Sequence, residues 1–148
     1  MLKLIFHAGD RQYAVSCTYV KRVVPQVKLT NIPHSPDYVL GMMNLNGKPT
    51  PVIDFCLLVD GIPARDRFHT RIILLDILHN GRRVEFGLVA EAVTDTLSAN
   101  DETFVDSTVR VDRLSFVKGS MMADNHIVQL VDVPNLVDLI TKEGALAV

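Results

Sequence analysis

The chain has 148 residues, 48% apolar and 22% charged, with 15 basic against 17 acidic residues and a net charge of −2. That length suits one ordinary domain with a real core, the apolar share excludes a disordered chain, and the lack of a basic excess argues against a nucleic-acid binder. No apolar run reaches the roughly 18–20 residues needed to cross a membrane, and residues 1–6 lack the basic region and cleavage site of a signal peptide.

Leu2, Leu4 and Phe6 alternate with Lys3, Ile5 and His7, the period of a strand. Gly9-Asp10 then turns the chain into a second strand at Tyr13, Ala14 and Val15. Short helical turns are expected over residues 18–24, 55–59 and 91–95. Residues 39–55 read VLGMMNLNGKPTPVIDF. There Gly41 permits a bulge or a close backbone approach, and Asn46-Gly47 favours a tight turn. Pro49 and Pro51 lack amide donors, which places their strand at an edge or bends it. Residues 60–69 read as a loop. Two runs, 71–78 and 82–90, flank Asn80-Gly81, the strongest short hairpin signal in the chain, with Val84, Phe86, Leu88 and Ala90 on one face. Ser98 with Asp101 can cap a further turn, and residues 99–113 read as a second loop. Strands follow at 116–122 and 127–131. A C-terminal helix has Pro134 in its first turn, an apolar stripe of Leu136, Val137 and Ile140, and Gly144 as its stop.

The sequence also repeats. A shift of 78 residues lays Tyr38-Val39-Leu40-Gly41 on Phe116-Val117-Lys118-Gly119 and Val52-Ile53-Asp54 on Leu130-Val131-Asp132 without a gap. A shift of 73 lays Tyr13-Ala14-Val15 on Phe86-Gly87-Leu88 and Val20 on Val93. The expected organisation is one domain over residues 1–141, with a pseudo-repeat of roughly 1–59 and 70–140 and a tail over 142–148. It predicts two similar small barrels, an apolar seam between them, and a groove at the seam where a partner binds.

Chemistry is scarce. His7, His34, His69, His79 and His126 lie in separate segments without metal-site spacing, and no phosphate loop or nucleophile elbow is present, so no metal and no cofactor are expected. Asp54 and Asp132 each end a strand before a helical turn. They can be read as paired catalytic carboxylates, but the position is that of an N-cap and their neighbours are apolar, so the structural cap is favoured. Cys17 and Cys56 read as two buried thiols in a reducing compartment, which makes the cytoplasm the expected location, without membrane insertion.

The order Gly9-Asp10-x-x-Tyr13-Ala14-Val15, Val20-x-x-Val23, Ile32-Pro33-x-x-Pro36-x-Tyr38-Val39-x-Gly41, Asn44-Leu45-x-Gly47 and Pro51-Val52-Ile53-Asp54 resembles the CheW family of chemotaxis adaptors. Gly87-Leu88-Val89, Val93, Phe116-x-x-Gly119 and Ile127-Val128-x-Leu130-Val131-Asp132 continue it, from Leu4 to about Ile140. The resemblance implies a mainly all-β fold of two small five-stranded β-barrel subdomains with short helices and a C-terminal helix. It implies a non-catalytic adaptor that couples methyl-accepting chemoreceptors to a CheA-type histidine kinase. Its partners would be the receptor signalling tip, bound in the groove between barrels, and the kinase regulatory domain.

The groove expected from this resemblance is lined by Val20, Val23, Gly41, Met42, Met43, Asn46, Val89 and Val93, with Lys21 and Arg22 as rim charge. Four positions depart from the family pattern. Asn46 stands where the family usually has an arginine, Lys21-Arg22 where it often has an acid, and Glu91 where it often has an aspartate. An asparagine cannot make the forked, charged hydrogen bonds of arginine, and rim charge steers partner choice. The alternative expectation is therefore an assembly-limiting or competitor adaptor in an alternative chemosensory pathway, which binds receptor or kinase without activating it.

Overall fold

Tight two-residue turns organise most of the chain. The computed structural model describes residues 1–106 and 114–146. Strands β1 (Leu2–Ala8) and β2 (Arg11–Ser16) meet through Gly9, at φ +60. Strands β4 (Val39–Leu45) and β5 (Lys48–Asp54) are joined by Asn46 and Gly47, at φ +52 and +85. Strands β6 (Arg71–His79) and β7 (Arg82–Ala90) are joined by Asn80 and Gly81, at φ +51 and +76. Both central residues of a type I′ turn need positive φ, which asparagine and glycine tolerate best. The remaining elements are β3 (Val20–Pro25), α1 (Phe55–Asp60), β8 (Ala92–Ser98), a 3₁₀ turn (Asp101–Thr103), β9 (Val117–Ala123), β10 (His126–Val131) and α2 (Val133–Lys142).

The strands form two five-stranded sheets, ordered β8-β1-β2-β10-β9 and β3-β6-β7-β5-β4. The two orders are the same once β1–β5 are exchanged for β6–β10. Each sheet has one parallel pair, β2 with β10 and β5 with β7, and the other ladders are antiparallel. Two strands of each sheet come from one half of the chain and three from the other. Corresponding details recur. The Asp54 amide donates to the Tyr38 carbonyl at 2.7 Å, and the Asp132 amide to the Phe116 carbonyl at 2.6 Å. A Cβ on Gly41 would lie 2.5 Å from the Thr30 carbonyl oxygen, and one on Gly119 2.8 Å from that of Val105. The register also slips between Val39 and Gly41, so Gly41 serves both a bulge and a close approach.

Three apolar clusters fill the molecule. The largest lies between the sheets: Phe6, Ala8, Tyr13 and Val15 face Ile73, Leu75, Ile77, Phe86, Leu88 and Ala90. Phe55 packs edge-on against Phe6, Tyr13 and Phe116 at 5.0, 4.8 and 6.0 Å between ring centres. Helix α2 lays Val133, Leu136, Val137 and Ile140 into the same cluster, each at 1% exposure or less. Burial of such side chains is worth about 1.5–3 kcal/mol each. Leu146, beyond the helix, is buried there too. Each sheet also encloses a cluster of its own, Met43, Val52, Ile72, Leu74 and Val89 in one and Ala14, Phe104, Val128 and Leu130 in the other.

Several expectations need correction. Residues 20–25 and 92–98 are strands, not helical turns. A single turn does form before β3, where the amides of Tyr19 and Val20 donate to the carbonyls of Ser16 and Cys17. Val20, Val23 and Val24, like Val93, Thr94 and Thr96, are β-branched and extend along β6 and β1. Strand β5 is internal, with β4 and β7 on either side, although pairing with β7 starts only at Val52, past both prolines. Among the described residues Ser98 caps no turn: Asn100 precedes the 3₁₀ turn without a side-chain cap bond, and Asp101 instead pairs with the buried Lys3. Cys17 is half-buried and Cys56 buried, both as free thiols. Of the expected loop over residues 99–113, positions 107–113 lie outside the described residues, as do 147 and 148 of the tail.

Candidate functional site

The seam between the sheets has an apolar margin. Tyr19, Val20, Val23, Val84 and Val93 pack against the central cluster and remain half-buried. They come from the turn before β3, from β3 itself, from β7 and from β8, so edge strands of both sheets contribute. The fold therefore gathers three of the expected groove residues, Val20, Val23 and Val93, around one cluster. Met43 and Val89 lie elsewhere, at 5% and 1% exposure inside the second cluster, where they present no surface. Gly41 is buried and Met42 half-buried on β4, at the opposite edge of the sheet from β3. Asn46 is exposed at the tip of the β4–β5 hairpin.

The two rim cations part company. The register slips between Val20 and Arg22, which leaves Lys21 as the bulged residue. Its ammonium reaches across β6 to Glu85 on β7, at 2.9 Å. Lys48 donates to the other oxygen of Glu85 at 2.8 Å. These two cations hold the Glu85 carboxyl down at about 2. Arg22 is exposed and has no hydrogen bond or ion pair among the described residues. Glu91 has a different task. Its carboxylate accepts from the Gly9 amide at 2.9 Å and from the Arg65 amide, Nε and a terminal nitrogen at 2.7, 3.0 and 3.2 Å. Those bonds hold it at about 2 and tie the β1–β2 turn to the loop after α1.

The CheW-like domain model matches residues 3–141. The chain belongs to the CheW-like domain family. A probable chemotaxis protein CheW of Rhizobium etli is 28% identical over 145 residues, covering 96% of this chain and 90% of that protein. The chemotaxis protein CheW of Bacillus subtilis is 24% identical over 144 residues, with the same coverage. The crystal structure of a CheW scaffolding protein from Thermoanaerobacter tengcongensis superposes with a TM-score of 0.76 at 26% identity, over 88% of this chain and 82% of that one. The chain is thus a chemotaxis scaffolding adaptor of the CheW type, and in this family the scaffold role is non-catalytic.

Within the CheW-like fold the two aspartates act as helix caps. Asp54 accepts from the Leu57 amide at 3.2 Å and from the Ala64 amide at 2.9 Å. Burial pushes its carboxyl up and these backbone donors oppose the shift. Asp132 accepts from the Asn135 amide at 3.1 Å and lies 3.8 Å from the Lys118 ammonium. Both oxygens of each carboxylate accept hydrogen bonds, those of Asp132 from the amide and the side-chain nitrogen of Asn135, as cap positions require. Among the described residues no three histidine, cysteine or acidic side chains stand close enough to hold a metal, and no helix is long and apolar enough to cross a membrane. Sequence reasoning missed Tyr19, Val84 and Glu85. Val84 was within reach, since it opens the alternating face that runs into the seam. The double ion pair of Glu85 joins residues 37 and 64 positions away and has no local signal.

Proposed function

We propose that this adaptor couples the signalling tip of a methyl-accepting chemoreceptor to the regulatory domain of a CheA-type histidine kinase, in the cytoplasm. The observation that carries the proposal is that Tyr19, Val20, Val23, Val84 and Val93 all pack half-buried against the one cluster between the sheets. A helical tip would lay its apolar stripe on these side chains, the helix-in-groove mode. Arg22, exposed beside it, favours a receptor tip with a carboxylate at that rim. The test is a pull-down of the full chain with the receptor tip and the kinase regulatory domain of the same organism. Val20→Asp should abolish receptor capture while the protein stays folded. Capture by a folded Val20→Asp protein would place the receptor elsewhere.

Asn46 favours a second reading, in which the protein limits array assembly or competes with an activating adaptor. It projects from an exposed turn at φ +52, in reach of a partner but without a charge to offer. Added to a receptor–kinase mixture, the wild-type protein should then lower kinase activity, and Asn46→Arg should restore it.

A further inference from the structure

Residues 61–70, between α1 and β6, have no helix or strand, yet they are pinned at several points. Asp54 accepts from the Ala64 amide at 2.9 Å, and Glu91 from the Arg65 amide at 2.7 Å. The buried Thr70 hydroxyl donates to the Arg65 carbonyl at 2.5 Å and accepts from the Arg67 amide at 3.0 Å. Arg71 donates to the carbonyls of Phe68 and Thr70 at 2.6 and 2.9 Å. Loops held by that many bonds keep one shape.

What this shape displays is a bare phenyl ring. Phe68 is 85% exposed, the most exposed large apolar side chain among the described residues. His69 stands edge-on to it at 5.4 Å and the Arg71 guanidinium lies 6.0 Å from its centre. Ile62 is 67% exposed in the same loop. Arg67 is exposed, and its guanidinium has no partner among the described residues. Asp66 is the single acid in the segment.

We propose that this loop is a docking knob for a protein partner, with Phe68 entering an apolar pocket and Arg67 and Arg71 meeting carboxylates on its rim. Aromatic and arginine side chains dominate binding hot spots, and a pre-shaped loop loses little entropy on binding. The flanking cations select an acidic partner, because a like-charged rim would repel them. An anionic lipid surface fits less well, since recognition of that kind draws on clusters of roughly 4–8 basic residues and this knob offers two arginines. The knob is separate from the seam margin and does not depend on the receptor-and-kinase reading.

The test places a photo-crosslinker at the tip. The full chain carrying Phe68→p-benzoylphenylalanine is expressed in the organism that makes it, illuminated, and its adducts are sequenced by mass spectrometry. The expected result is a protein adduct whose crosslinked peptide is net acidic. Its yield should fall by about tenfold or more with Arg67→Glu and return with Arg67→Lys. Thermal melting of each variant checks folding, which Arg67→Glu should leave unchanged because the side chain is exposed and unpaired. No adduct, an adduct with lipid or with a second copy of this chain, a non-acidic peptide, or a yield insensitive to Arg67→Glu would each overturn the proposal.

Discussion

Gly41→Ala should be among the most damaging single substitutions in the chain. Gly41 has φ +145, a region L-residues rarely enter, and its bare Cα faces the Thr30 carbonyl. A methyl group there would meet the oxygen at 2.5 Å and the carbon at 2.9 Å. Both contacts are backbone, so no side chain can swing away. Relief requires residue 30 to move, which breaks the two bonds it shares with Met42, at 2.8 and 2.9 Å. Losing those bonds costs about 0.5–1.5 kcal/mol each, and holding alanine at that φ about 1–3 kcal/mol. Together the loss is about 2–6 kcal/mol. At an m-value of about 2 kcal/mol per molar urea, the unfolding midpoint should drop by about 1–3 M. Gly47→Ala is the control. Its φ is +85, but nothing lies within 4 Å of the added carbon, so it costs the backbone strain alone. If Gly41→Ala is no more destabilising than Gly47→Ala in the same urea titration, the close-approach argument fails.

The helix caps should differ in cost. Asp54→Ala removes acceptors from two backbone amides and leaves one beside a buried helix, so it should destabilise by about 1 kcal/mol more than Asp132→Ala, measured by urea unfolding. Acid should loosen the protein in a defined window. Glu85 and Glu91 titrate at about 2 in the folded chain against the ordinary 4.5 of a glutamate, so their stabilisation is complete above 4.5 and is lost as pH falls towards 2. Glu85→Gln with Glu91→Gln should flatten the drop in melting temperature between those limits, while an unchanged slope would assign acid sensitivity to other groups. The thiols should label in order. Burial pushes Cys56 up to about 12, so Cys17 should react first with a thiol reagent at pH 8, and equal rates would contradict the burial assigned to Cys56. Thr70→Val removes the hydroxyl that bridges Arg65 and Arg67, and proteolytic nicking should then rise within residues 61–70 and nowhere else.

Much of this architecture was legible in the chain because its signals are local. Asn80-Gly81 and Asn46-Gly47 dictate their turns through backbone sterics alone. The alternation from Val84 to Ala90 marks one face of β7, and that face does pack into the seam. Strands β3 and β8 were misread because both are edge strands, half-exposed, where packing imposes no clean period of two. The groove list mixed two environments for a related reason. Alternation tells which residues share a face but not which cluster that face meets, so Val89 and Val93 looked alike. One belongs to the inside of a sheet and the other to the margin of the seam. Long-range polar ties, such as Glu85 to Lys21 and Lys48, depend on strand order and leave no trace in local pattern.

The exchange of strands between the halves also sets an order of assembly on the ribosome. Every strand of the sheet β3-β6-β7-β5-β4 lies between Val20 and Ala90, so that sheet can close once this segment has emerged. The other sheet cannot. Strand β2 must wait for β10, with Gln12 opposite Val128, and contacts so distant in sequence form slowly. Until the last strand is made, the first hairpin keeps one open edge along β2, the edge that β10 closes. The first residues to leave the tunnel are thus among the last to find their place. A chain truncated before β10 should therefore be a target for chaperones and proteases even though eight of its nine strands have a partner to pair with.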